Sequence, residues 1–281
     1  MTPGFWRFVN ASVTGSSHIR LGIPCQDAMA CQLLQDADGE DVLLAVVADG
    51  AGSASMAKEG ATLACSLLID EVTSLLAQGA SVDGVTESFV QTWLERFQDV
   101  VEQRAEENHV RSRDFACTFL SAIVGVEKAV FAQVGDGAIV VSPRSDPDEY
   151  SWVFWPQKGE YENQTTFATD QAAFVDLAYA FANHAIDEVA LFSDGLQRLV
   201  LDFQAQTAYQ RFFLPMFKAT RDIQSGSCAS ATSSLATYLE SSQINERTDD
   251  DRTLILATRR DVPPVTVDSE DNHDPEQPTG S

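Results

Sequence analysis

Positive charge is scarce in this chain: 18 Lys and Arg stand against 42 Asp and Glu, for a formal net charge of −24. A surface of that sign repels phosphate backbones, so nucleic acid is not an expected partner. The five cysteines, Cys25, Cys31, Cys65, Cys117 and Cys228, are odd in number and have no paired spacing. A disulfide framework is therefore not expected, and a reducing cytoplasm is the expected compartment. No run approaches the roughly 20 apolar residues that cross a bilayer. The start, MTPGFWRFVNASV, lacks the basic opening and continuous apolar stretch of a secretory signal. A soluble, monomeric protein away from membranes is expected. Solenoid-type repeats are absent. So are a P-loop, since Gly52 to Lys58 lacks its second Gly, and a Cys followed by Arg at the spacing of a cysteine-phosphatase loop.

What is present suits one sizeable core: 281 residues, 44% of them hydrophobic. Apolar alternation predicts strands over Phe5–Val13 and Ala28–Leu34. The turn Asp36-Ala37-Asp38-Gly39 then leads into the run Val42–Val47, as in a hairpin. Helical spacing follows over Ser55–Leu76 and Val82–Glu107. Strands are expected at Ala116–Val124, Ala129–Val134, Ala138–Ser142 and Ser151–Trp155, as an antiparallel meander. A polar stretch, Pro156–Thr169, precedes an expected helix over Gln171–Asn183, the strand Glu188–Phe192, helical spacing over Gly195–Leu239 broken near Ser225–Ser227, and a last strand at Thr253–Thr258. Strands and helices in blocks argue for an α+β fold. The domain is drawn as 1–258. Residues 259–281 form a tail that is expected to be disordered, with six acidic residues and no Lys or Arg after Arg260.

The chemistry is concentrated in aspartates at strand ends. In LLAVVADGAGS a buried run delivers Asp49 to the end of its strand, and Gly50 permits close approach to its backbone. Asp136 in FAQVGDGAIVV, Asp194 in VALFSDGLQRL and Asp250 in TDDDRTLILA occupy comparable places. Were these ends to meet, the mutual repulsion would call for divalent cations, and an all-oxygen set selects Mg²⁺ or Mn²⁺ over Zn²⁺.

In order and spacing, GSSHIRLGIPCQDA, VVADGAGSASMAKEGA, CTFLSAIVG, VGDGAIVV, LFSDGLQRLV and DDRTLILA resemble the protein phosphatase 2C, or PPM-type, family over about residues 8–258. The resemblance implies a four-layer α-β-β-α sandwich of two antiparallel sheets flanked by helices. It also implies a protein serine/threonine phosphatase that attacks phosphoserine or phosphothreonine directly with a hydroxide bridging two Mn²⁺ or Mg²⁺ ions. Asp49 would bridge the ions, Asp194 and Asp250 would complete the first ion's ligand set, the Gly50 carbonyl would touch the second ion, and Asp136 with Asp194 would hold a weaker third. Gln26 stands where many relatives have Glu, and Asp27 would orient water at the site. Arg20 is the candidate phosphate fork, its guanidinium matching a phosphoryl group bidentately, with His18 assisting. Many relatives carry a His after the Asp-Gly as a general acid; this chain has Ala51. Expected partners are phosphorylated proteins and an opposing serine/threonine kinase.

Other residues are read as bystanders: His109 and His273 as solvated, His184 as a helix-end dipole partner, and Lys58 as a helix-surface residue. Tyr161, Asn163, Thr165 and Thr166 form a flap beside the cleft or a solvated hairpin. Two rival readings carry their own tests. A catalytically silent phosphoprotein-binding module would keep the fold without turnover. A haloacid-dehalogenase-type phosphatase would depend on Asp36 rather than Asp49.

Overall fold

A computed structural model describes residues 4–156, 165–224 and 226–261. In chain order the elements begin with strand β1 (Arg7–Val13), helix α1 (Ser16–Leu21), and strands β2 (Ala28–Gln35) and β3 (Asp41–Ala48). Helices α2 (Ala57–Ala77) and α3 (Glu87–Asn108) precede strands β4 (Phe119–Val124), β5 (Ala129–Val134), β6 (Ala138–Pro143) and β7 (Ser151–Trp152). Then come α4 (Ala173–Asp176), β8 (Ala178–Ala182), β9 (Ile186–Phe192), α5 (Gln197–Val200), and the short strands β10 (Leu201–Asp202) and β11 (Thr207–Ala208). The chain continues through α6 (Gln210–Arg221), β12 (Gly226–Ser227), α7 (Ala229–Leu239), α8 (Ser242–Asn245) and β13 (Arg252–Thr258).

Two main sheets form, ordered β12-β1-β13-β9-β6-β7 and β2-β3-β4-β5-β8, with β10-β11 as a small separate ribbon. Alternation along the strands divides the core into layers. On β3, Val42, Leu44, Val46 and Ala48 face α2 and α3, while Leu43, Ala45 and Val47 face the opposite sheet. On β9, Val189 and Leu191 point between the sheets, and Ala190 and Phe192 point to α6 and α7, which supply Phe213, Phe217, Leu235 and Leu239. The central strands are covered on both faces, which is why they read as continuous apolar runs. Trp93 of α3 stacks on Phe119 with ring centroids 4.1 Å apart. Truncating such a buried aromatic ring costs roughly 3–5 kcal/mol.

The sandwich and the Asp36–Gly39 hairpin turn agree with the sequence reading, and three expectations are corrected. First, β5 and β6 do not form a meander: they lie in different sheets, so Gly135-Asp136-Gly137 is a crossover between layers. Second, Gln171–Asn183 is not one helix. Only Ala173–Asp176 is helical, and Ala178–Ala182 pairs antiparallel with β5, its Ala-Tyr-Ala-Phe-Ala alternation being a period-2 signal at a sheet edge. His184 consequently sits exposed between β8 and β9, not at a helix end. Third, Gly195–Leu239 is interrupted by the β10-β11 ribbon as well as at β12. The α1 turn was not foreseen, because none of its residues is buried. Helix α2 is long and apolar enough, by length and composition, to cross a membrane, yet it lays Ala61, Ala64, Leu68 and Val72 against the sheet.

The folded body also reaches past 258. Arg259 is buried beside Asp187 with its guanidinium over the Trp6 ring, and Arg260 reaches Glu188. The remainder of the acidic tail, 262–281, lies outside the described residues. All five cysteines are free thiols.

Candidate active site

Strand register brings the aspartates together. In one sheet Ala28 pairs with Ala48, so Asp27 and Asp49, one residue beyond each, share an edge. In the other, Phe192 pairs with both Ala138 and Leu254, so Asp136, Asp194 and the Asp250 loop reach the same edge two to four residues further on. The β5–β6 crossover joins the sheets at that edge.

Each position is locally secured. Asp49 extends β3: its N–H donates to Thr118 Oγ1 at 3.0 Å, and its carbonyl accepts from Thr118 N–H at 2.7 Å. Gly50 follows where a Cβ would lie 2.8 Å from the Ala57 and Gln26 carbonyl oxygens, a separation real Cβ atoms essentially never show. The Asp136 turn is braced by the buried Gln133 amide, which donates to the carbonyls of Gly135 and Gly137. Asp194 precedes Gly195, where a Cβ would meet the Asp251 carbonyl at 2.0 Å, so the Asp250 loop packs directly on this turn. Asp27 is fully buried, and its Oδ2 accepts from the hydroxyls of Ser193 (2.8 Å) and Thr253 (2.7 Å), tying the two sheets together.

Electrostatically the cluster is under strain. Burial raises the pKa of Asp27 to about 6, with the Asp251 charge adding to the effect. Burial also raises Asp194 to about 7, helped by Asp136, Asp250 and Asp27. Asp49 is pushed well above the usual carboxylate range by burial and by the charges of Asp27, Asp194 and Asp250. Asp136 is raised by burial, partly offset by the Thr165 hydroxyl, which donates to its Oδ2 at 2.7 Å. Among the described residues none of these five carboxylates has a Lys or Arg ion pair. Lys58 is exposed on α2, as read from sequence, and its ammonium donates to the Asp27 backbone carbonyl.

The donor chemistry fits a hard divalent cation. Asp194 Oδ1, Asp27 Oδ1 and Gln26 Oε1 are buried with no hydrogen-bond partner, and the carboxylates repel one another without a protein cation to neutralise them. Among the described residues no three His, Cys, Asp or Glu side chains converge tightly enough to enclose a single ion, so the carboxylates line a cleft and do not form a preformed cage. That cleft, of about 1220 Å³, is bordered by Asp136, Asp194 and Asp250 and runs outward past Thr165.

Asp27, Asp49, Gly50, Asp136, Asp194 and Asp250 thus meet at one edge. Arg20 and His18 lie beside it on α1. Arg20 pairs with Asp249 at 3.3 Å, both side chains well exposed, and His18 Nδ1 lies 3.0 Å from Asp251 Oδ2. Ala51 is buried among Ala54, Ala57 and Ala116, an apolar pocket with no proton donor. Of the four flap residues, Thr165 reaches Asp136 and Thr166 donates to Asp176, while Tyr161 and Asn163 lie outside the described residues. Asp36 caps its own hairpin, accepting from the N–H groups of Asp38 and Glu40, remote from the cluster, which removes the support for a dehalogenase-type nucleophile. Sequence reasoning missed Asp251. Its buried carboxylate accepts from the N–H groups of Gly15 and Gln26, each at 2.6 Å, and so pins the α1 segment to β13. Its only signal was adjacency to Asp250.

Two stacked, mainly antiparallel sheets between helical layers, with carboxylates collected at one edge, define an α-β-β-α sandwich with an acidic edge. The profile of protein phosphatase 2C matches residues 14–257, and the chain belongs to that family. Serine/threonine-protein phosphatase 3 of Escherichia coli (strain K12) is 35% identical over 255 residues, covering 90% of this chain and 98% of that protein. The protein is accordingly a protein serine/threonine phosphatase. Among solved structures, the phosphatase Stp1 from Staphylococcus aureus aligns with a TM-score of 0.61 at 16% identity, covering 92% of this chain and 98% of that one. RsbX, solved in complex with magnesium, aligns with a TM-score of 0.54 at 14% identity, covering 91% and 96%. At these identities the structures speak for the fold alone.

Proposed function

We propose that the chain hydrolyses phosphoserine and phosphothreonine esters of proteins by metal-assisted direct attack of water, with Asp49, the Gly50 carbonyl, Asp194 and Asp250 holding two Mn²⁺ or Mg²⁺ ions and Asp136 contributing to a weaker third. The observation that carries this reading is the carboxylate cluster with no Lys or Arg counter-charge, in which Asp49 and Asp194 are held above the usual carboxylate pKa range by burial and by their acidic neighbours. The magnesium bound by RsbX is consistent with that choice of ion. Bound ions would supply Lewis acidity to water and to the phosphoryl oxygens. The protein's own residues do the rest. Asp27, gripped by Ser193 and Thr253, keeps a fixed buried acceptor beside Asp49 and would orient a water there. Arg20, in easy exchange with its exposed partner Asp249, can release to a phosphoryl group. Ala51 offers no proton, so the leaving alkoxide is protonated by solvent entering the open cleft. A serine/threonine kinase would supply such a substrate.

The test is hydrolysis of a phosphothreonine peptide with and without Mn²⁺. Wild type should turn over only with the metal, and Asp49→Asn should fall by about three orders of magnitude, the scale of losing a preorganised electrostatic group. A folded, Mn²⁺-saturated wild type without turnover would instead mark a silent phosphoprotein-binding module.

A further inference from the structure

The cleft does not end at the carboxylates. Beyond Asp194 and Asp250 it is walled by Leu201, Phe203 and Tyr209 and by two arginines, Arg198 and Arg247. Arg198 follows Asp194 by one helical turn, and Arg247 precedes Asp250 by three residues, so the loops that deliver the site also deliver these cations. Both are exposed, and neither guanidinium makes a hydrogen bond or ion pair among the described residues. Most other arginines here are engaged: Arg144, Arg221, Arg259 and Arg260 bind Asp187 and Glu188, and Arg20, Arg96 and Arg104 each hold a carboxylate. In a chain of net charge −24, two unengaged cations on one cleft wall stand apart from their surroundings. Phe203 and Tyr209, 39% and 45% exposed, flank them, and Phe203 meets Trp155 edge-on at 5.3 Å. A cationic pair framed by open aromatic faces is complementary to an extended peptide carrying acidic side chains. Without it, the carboxylate end and the overall charge would turn such a peptide away.

We propose that Arg198 and Arg247 form a subsite selecting substrates with Asp or Glu beside the phosphorylated residue. This rests on the phosphatase reading above and names the substrate class of the same cleft. The subsite acts on flanking residues, not on the phosphoryl group, so its signature is a ratio between peptides.

Two phosphothreonine peptides of equal length, one flanked by Asp and Glu and one by Ser and Ala, are compared on the full chain with Mn²⁺. Equilibrium binding of the same peptides is read by fluorescence anisotropy. Wild type should favour the acidic peptide about tenfold in kcat/KM, through KM, with the ratio shrinking as salt is raised. In Arg198→Gln/Arg247→Gln the ratio should fall toward one, and in Arg198→Glu/Arg247→Glu a lysine-flanked peptide should be preferred. Arg96→Gln, on the opposite helical layer, should keep the wild-type ratio. No preference in wild type, an unchanged ratio in the double variant, or equal losses on both peptides would overturn the subsite. Retained binding preference without hydrolysis would overturn the phosphatase reading and leave the subsite standing.

Discussion

Strand β9 carries buried carboxylates at both ends, and the two ends are treated in opposite ways. At its start, Glu188 is fully buried yet receives Arg221, Arg260, the Tyr150 hydroxyl and the Thr258 hydroxyl. Its neighbour Asp187 receives Arg144 and Arg259. Just past its finish, Asp194 meets only other carboxylates and keeps an unpartnered buried oxygen. The same strand, in the same sandwich, therefore holds a self-neutralised anion cluster at one edge and an unneutralised one at the other. The protein completes the first cluster with its own cations, so that end serves the fold. In the function proposed above, the second is completed by a cation from solution, which would make that end the one that serves chemistry.

The largest effect separating the two ends is expected from Asp194→Asn. Removing a charged oxygen from the open cluster should lower Mn²⁺ affinity and cut turnover by about three orders of magnitude. The metal-free variant should nevertheless melt higher than metal-free wild type, because one repelling charge is gone. Calorimetric Mn²⁺ titration alongside thermal unfolding reads both, and wild-type metal affinity in the variant would remove Asp194 from the site. A binding residue whose loss stabilises the apo fold is what distinguishes this end from the other.

Glu188→Gln should show the reverse pattern. It keeps the shape but strands Arg221 and Arg260 against a neutral amide, and breaking a buried pair from one side costs about 3–5 kcal/mol. The melting temperature should fall by roughly 10 °C, while Mn²⁺ affinity of the folded protein stays at the wild-type value. A loss of metal affinity matching that of Asp194→Asn would show that the two ends are not separate clusters.

The open cluster was legible in sequence because each member ends a buried run with Asp-Gly or precedes one, a local pattern that needs no knowledge of pairing. The closed cluster was not. Arg221, Arg259 and Arg260 lie far along the chain from Tyr150, and the domain boundary expected at 258 places Arg259 and Arg260 in the tail. Only the register of β13 against β9, which sets Thr258 opposite Glu188, brings the last arginines there. The sheet assignment of β6 was hidden for the same reason: a turn of Gly-Asp-Gly composition serves a hairpin and a crossover equally well, and the choice is made by which sheet can bury the next strand. At the edge strand β8, small alanines blur the distinction between periods 2 and 3.6, so local pattern alone chose the wrong element.

The finest distinction between the ends lies in how the metal-free fold responds to pH. Asp27 and Asp194 have folded-state values near 6 and 7, above the ordinary 3.8. Between pH 4 and 7 the folded protein therefore holds protons that the unfolded chain has already released. Stability must then fall as pH rises through that window, by up to about 1.4 kcal/mol per pH unit for each group while it titrates. Asp83 and Asp114 oppose this, held low by the Lys128 ammonium and the Arg111 N–H respectively, but both are near the surface and act below pH 4. Thermal unfolding of the metal-free protein in 0.5 M salt, which screens general repulsion, should show a melting temperature several degrees lower at pH 7.5 than at pH 5. Saturating Mn²⁺ should flatten or invert that slope, since the ion binds the ionised carboxylates, and Asp194→Asn should shallow it without metal. A metal-free melting temperature that is level or rising from pH 5 to 7.5 would mean the edge is neutralised by some group of the protein after all, and the contrast between the two ends of β9 would fail.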